Sequence, residues 1–88
     1  MKTADQIKKR LQCFAPQYIE VIDDSHLHQG HAGNRGGGHY TVLIVSDQFH
    51  HKNRVLRQRM VNEALDDLFE QAIHALSIKA LTAKEYFS

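Results

Sequence analysis

The chain has 88 residues, 42% hydrophobic and 24% charged, and reads as one small α+β domain covering residues 1–88. Its net charge of +1 excludes a strong overall basic field for nucleic acid; no apolar run reaches the about 18 residues of a membrane span, and the N-terminus lacks an apolar signal core, so the cytoplasm is the expected compartment. A single cysteine, Cys13, excludes an internal disulfide and an iron–sulfur cluster held by this chain's thiolates alone.

Thr3 and Gln6 have capping-box spacing, and Ile7, Leu11 and Phe14 follow at helical spacing, which predicts a helix over about 4–14 that ends before Pro16. Cys13 on that helix reads as a small packing residue. Tyr18-Ile19-Glu20-Val21-Ile22-Asp23 is β-rich and predicts a first strand. Between Ser25 and Tyr40 lie four of the seven histidines and all five glycines, which predicts a long, mobile, histidine-bearing connection. Tyr40-Thr41-Val42-Leu43-Ile44-Val45 is nearly continuous in apolar residues, as a central strand is.

From Asn53, an N-cap by residue type, Leu56, Met60, Val61, Ala64, Leu65, Leu68 and Phe69 predict one long helix to about Gln71. Leu76, Ile78 and Ala80 alternate with polar residues and predict a third strand with those three inward. Thr82 and Glu85 repeat the capping box and open a short last helix. The order α-β-β-α-β-α joins the second and third strands by a helix, so they lie parallel through a right-handed crossover, in a three-stranded mixed sheet with helices packed on it.

On residues alone, His74 among Ile73, Ala75 and Leu76 reads as a buried or half-buried histidine satisfied by a backbone carbonyl. His26 and His28 read as solvated, and the loop histidines lack the compact spacing of a structural zinc site. Lys52, Arg54, Arg57 and Arg59, with His50 and His51 ahead of them, read as a solvated basic helix start or as a phosphate-binding patch. No aromatic platform for base stacking is evident. Histidines near Ser25, Asp23 and Asp24 supply acid–base groups, but no nucleophile motif accompanies them, so no catalysis is assigned.

Several fragments together resemble the BolA-like family over essentially the whole chain. They are Asp24-Ser25 leading to Gly30-His31-Ala32-Gly33, His39-Tyr40 opening a strand, Val45-Ser46-Asp47-Gln48-Phe49, Arg57-Gln58-Arg59-Met60-Val61, and Ile73-His74-Ala75-Leu76. The resemblance implies a class II KH-like fold and partnership with a monothiol glutaredoxin around a shared [2Fe–2S] cluster. The glutaredoxin supplies its cysteine and bound glutathione; His74 matches the family's ligand before the last strand. A second ligand comes from the loop, where His31 and His39 both match family histidines. His31 is placed first because it is flanked by glycines and able to swing to a partner, and His39 second because it is better held. The family is also discussed as transcription regulators, which makes DNA, met through Lys52, Arg54, Arg57 and Arg59, the alternative partner; the same patch suits a glutaredoxin or its glutathione. The apo form is expected to be a monomer or a weak homodimer. Two departures stand out: His51 replaces a frequent family glycine, and Gln58 replaces the histidine of an arginine–histidine–arginine run. The Gly-x-x-Gly clamp of ordinary KH domains is missing.

Overall fold

The computed structural model describes residues 2–25 and 38–88. Helix α1 spans Thr3–Leu11 and buries Ile7 and Leu11 completely, one turn apart on its inner face. Thr3 is already helical and Lys2 takes the cap position without a side-chain bond, so the expected Thr3–Gln6 capping box does not form. A 3-10 turn, Gln12–Phe14, continues the helix and buries Phe14; Ala15 then turns the chain in the left-handed region (φ 47°, ψ 55°). Cys13 is exposed on that turn, which corrects its reading as a packing residue.

Strand β1 (Tyr18–Asp23) pairs antiparallel with β2 (Gly38–Val45), from Tyr18 opposite Val45 to Asp23 opposite Tyr40. Strand β3 (Ile73–Leu81) lies parallel to β2 on its other side, so β2 is central. This is the predicted mixed sheet, with β2 starting at Gly38 and β3 at Ile73, ahead of the apolar runs that announce them.

The crossover from β2 to β3 carries two helices rather than one. Helix α2 spans Arg54–Ala64 and α3 spans Asp66–Gln71, interrupted at Leu65 (φ −110°, ψ 10°). The break corrects the single long helix. Asp66 and Asp67 are poor helix-interior residues but favourable in a first turn, where they face the positive end of the helix dipole. Interrupting the helix there still leaves Leu65 and Leu68 buried. Asn53 caps α2 as expected, its Oδ1 accepting from the Leu56 N–H at 2.8 Å. The Thr82–Glu85 capping box opens α4 (Ala83–Phe87) with both arms formed, at 2.7 and 3.2 Å.

Helices α1, α2 and α3 cover one face of the sheet, where Val42 and Ile44 of β2 meet Ile7, Leu11, Val61 and Leu65 at zero exposure. Leu76, Ile78 and Ala80 pack against this core from β3, as their alternation predicts. Phe49, on a 3-10 turn (Asp47–Phe49) after β2, is fully buried with its ring centre 5.4 Å from that of Phe14. Burial of one such ring contributes about 2–3 kcal/mol. Ser46 is fully buried too; its hydroxyl donates to the Phe14 carbonyl at 2.6 Å and accepts from the Gln48 N–H at 3.1 Å, tying the end of α1 to the end of β2. Among the described residues, no helix is long and apolar enough to cross a membrane.

Candidate metal-ligand site at the β2–β3 seam

The start of β2 is pinned on both sides. The Gly38 N–H donates to the Ala72 carbonyl at 2.9 Å, while the His39 carbonyl accepts from the Asp24 N–H at 2.7 Å. The His39 N–H donates to Ser25 Oγ at 3.1 Å, and the Ser25 N–H in turn donates to Asp23 Oδ1 at 2.9 Å. Thr41 Oγ1 donates to Asp24 Oδ2 at 2.5 Å. The Tyr40 ring lies over Gly38 so closely that a Cβ there would stand 2.5 Å from it. A side chain at position 38 would therefore displace a ring that is itself in the core.

The parallel register carries one irregularity. Gly38 pairs with Ile73 and His39 with Ala75, which leaves His74 as the extra residue of a bulge. Bulges re-aim side chains, and here Ile73 stays buried while the next residue, His74, is exposed. The result is a pair of imidazoles on adjacent strands, His39 and His74, with ring centres 5.1 Å apart and planes at 49°. Two imidazoles bound through nitrogen to one tetrahedral metal have ring centres about 5 Å apart, given metal–nitrogen bonds of about 2.0–2.1 Å. The separation of the pair is compatible with two positions on a single metal. Among the described residues no third histidine, cysteine or carboxylate joins them. A four-coordinate metal held here takes its other ligands from elsewhere.

Of the residues expected at the site, His39 and His74 are thus brought together. His31 lies outside the described residues, as do His26 and His28 and the histidine–glycine connection they belong to. The four basic residues separate. Arg59 lines an open groove of about 640 Å³ between α2 and β3 that also includes His74. Lys52, Arg54 and Arg57 line a second hollow of about 360 Å³ with Lys79. Arg57 is committed within the fold: Nε donates to the Lys52 carbonyl at 2.9 Å, and Nη1 donates to the Ala80 carbonyl at 3.0 Å and to Glu85 Oε1 at 2.7 Å. That guanidinium, with the Thr82 N–H, holds the Glu85 carboxyl down at about 2. Arg54 and Arg59 are exposed and Lys52 is half-buried.

Two features escape sequence reasoning. Asp24 and Ser25 position His39, which their occurrence as a short polar pair does not reveal. An exposed aromatic cluster forms where Tyr18 of β1 stacks on Tyr86 of α4 (centres 5.6 Å, planes 16°), with Phe87 edge-on to Tyr86 at 4.9 Å. Phe87 is 68% exposed. Tyr18 and the Tyr86–Phe87 pair are distant in the chain, so only the tertiary fold brings them together. Nearby Glu20 raises the Tyr18 hydroxyl above its ordinary range.

The sequence matches the family described as BolA-like protein over residues 11–85. It is 32% identical over 87 residues to the DNA-binding transcriptional regulator BolA of Escherichia coli, covering 98% of this chain and 81% of that protein. It is 37% identical over 91 residues to SufE-like protein 1, chloroplastic/mitochondrial, of Arabidopsis thaliana, covering 97% of this chain but 24% of that longer protein. The structure of the BolA domain of SufE1 from the same plant superposes with a TM-score of 0.85 at 34% identity, covering 97% of this chain and 98% of that one.

Proposed function

Because the chain belongs to the BolA-like family, we propose that it is an iron–sulfur adaptor, which pairs with a monothiol glutaredoxin and shares a [2Fe–2S] cluster for assembly, delivery or sensing. The observation that carries this reading is the His39–His74 pair at 5.1 Å, on strands fixed by the sheet. Ligands on rigid elements keep their separation before the metal arrives, which lowers the cost of ordering them. His74, exposed on the bulge, is the first ligand; His39 is the second that the geometry favours, with His31 as its rival from the connection. The remaining ligands, the cysteine and the glutathione, belong to the glutaredoxin. Neutral imidazole in place of thiolate leaves the cluster less negative and raises its potential. The chain acts as a binding module in a reducing compartment, the cytoplasm, where the partner's thiol stays free.

The test is anaerobic cluster reconstitution with a monothiol glutaredoxin and glutathione, read by visible circular dichroism and size exclusion. A 1:1 complex is expected, with a spectrum distinct from that of the glutaredoxin homodimer. His74→Ala abolishes or changes that spectrum, and comparison of His39→Ala with His31→Ala identifies the second ligand. If no mixed cluster forms, or His74→Ala matches the wild type, the adaptor reading fails.

The alternative is a KH-like transcriptional regulator that binds nucleic acid through Lys52, Arg54 and Arg59. Two observations favour it: the E. coli relative is named a DNA-binding transcriptional regulator, and Tyr18, Tyr86 and Phe87 offer exposed rings. With Arg57 committed to the fold, few phosphate contacts remain to it. Its affinity for duplex DNA should then fall with salt at a slope of about −3 in log–log terms. Binding of DNA without salt dependence, or unaffected by Lys52→Glu with Arg54→Glu, would remove it.

A further inference from the structure

Strand β3 has a free edge. The Leu81 carbonyl accepts from the Ser46 N–H at 2.9 Å on the β2 side, whereas the Ala80 carbonyl points the other way, to Arg57 Nη1 at 3.0 Å. Backbone groups of successive residues alternate sides along a strand. Leu76 and Ile78 therefore turn their N–H and C=O groups outward with Ala80, and of these only the Ala80 carbonyl is capped from within the described residues. These groups face the space between β3 and α2. The two hollows described above follow one another along this edge from His74 to Leu81, as a trough divided at Gln58, which borders both.

The two ends of the trough differ in charge. At the Ala80 end stand Lys52, Arg54 and Lys79, while Glu85, the acid there, is already paired with Arg57. No carboxylate among the described residues forms an ion pair with those three cations. At the other end Glu63 and Asp66 line the wall beside Arg59.

We infer that this edge takes an extended segment of a partner polypeptide as a fourth strand, with acidic residues at one end of the segment lying against Lys52, Arg54 and Lys79. Alternating outward N–H and C=O groups match a peptide backbone residue for residue, the basis of recognition by strand addition. A phosphate backbone offers no donors for the outward carbonyls of Leu76 and Ile78, and at the far end it would run over Glu63 and Asp66. Arg57 limits the ladder: its bond to the Ala80 carbonyl stops further pairing there, leaving room for about five residues at about 3.3 Å each. His74 borders one end of this surface, but the strand ladder needs neither histidine as a ligand, so its test is separate from that of the adaptor reading.

The experiment uses the 15N-labelled full chain and an acetylated peptide of alternating valine and threonine that ends in three glutamates. Two forms of the peptide, N-methylated at one or the other set of alternate backbone nitrogens, accompany it. The expected result is binding with shifts centred on the Leu76, Ile78 and Ala80 amides, and about tenfold slower hydrogen exchange at those amides when peptide is at ten times its Kd. One N-methylated form binds and the other does not, since only one set of nitrogens faces β3. The double variant Lys52→Glu/Arg54→Glu, whose folding its own spectrum reports, binds about tenfold more weakly. The inference is overturned if those amides do not respond, if both N-methylated forms bind alike, or if oligothymidylate occupies the same amides more tightly than the peptide.

Discussion

His51 occupies a backbone position that suits glycine, and replacing it should make the protein more stable. Its φ is 63°, in the left-handed region, and Ala15 at φ 47° is the only other non-glycine residue with positive φ among the described residues. Holding an L-residue there costs about 1–2 kcal/mol, because Cβ crowds the following carbonyl. Glycine removes that cost but loses more backbone entropy on folding, so His51→Gly is expected to gain about 0.5–1 kcal/mol. Little is sacrificed: His51 is exposed, and among the described residues its ring contact is with His50, centres 6.1 Å apart. Urea unfolding followed by far-ultraviolet circular dichroism measures the gain. With an m-value of about 1–1.5 kcal/mol/M for a chain of this size, the midpoint should rise by about 0.5 M with m unchanged. His51→Ala separates the causes, since it removes the imidazole and keeps Cβ; its midpoint should stay near the wild type. Ala15→Gly should repeat the gain at an unrelated turn. A midpoint that is unchanged or lower in His51→Gly, or that rises equally in His51→Ala, would refute the backbone explanation.

Ser46→Ala deletes a fully buried hydroxyl and leaves the Phe14 carbonyl and the Gln48 N–H without it; a loss of about 2 kcal/mol is expected, seen in calorimetry as a Tm lowered by about 10 °C. A shift of under about 2 °C would mean that water replaces the hydroxyl. Glu85 titrates at about 2 in the folded chain against an ordinary value of 4.5, so the stability it contributes is fully present above pH 4.5 and is lost as pH falls through about 2. The stability difference between wild type and Glu85→Gln should therefore narrow across that window; a difference constant from pH 6 to pH 2 contradicts the Arg57–Glu85 assignment. Ser25→Ala removes the acceptor of the His39 N–H, and hydrogen exchange at the His39 amide should quicken about fivefold, following the loss of about 1 kcal/mol. Unchanged exchange there would show that the Ser25 contact does not hold His39.

Element type and order were legible from the chain. Apolar residues at a spacing of two or of three to four set each element's period, and Asn53 and the Thr82–Glu85 pair mark helix starts because their side chains satisfy backbone N–H groups nearby in sequence. The parallel pairing of β2 with β3 was legible because a helix between two strands allows few connections. The break at Leu65 was written only faintly, in the two aspartates that follow it. Thr3–Gln6 shows the limit of local signals: the spacing is right, but the helix begins one residue earlier and the box never closes. What tertiary structure alone decided is that two of the candidate ligands, His39 and His74, stand side by side. Residues 39 and 74 are distant in sequence, and their rings meet because a one-residue bulge opposite Gly38 and His39 turns His74 outward beside its neighbour. A register shift of that kind is fixed by packing on both sides of β2, the Tyr40 ring over Gly38 and Ile73 in the core, and leaves no periodic trace in sequence. The same holds for Arg57: its type and position suggested a surface cation, whereas the fold closes it between the start of α2, the end of β3 and Glu85.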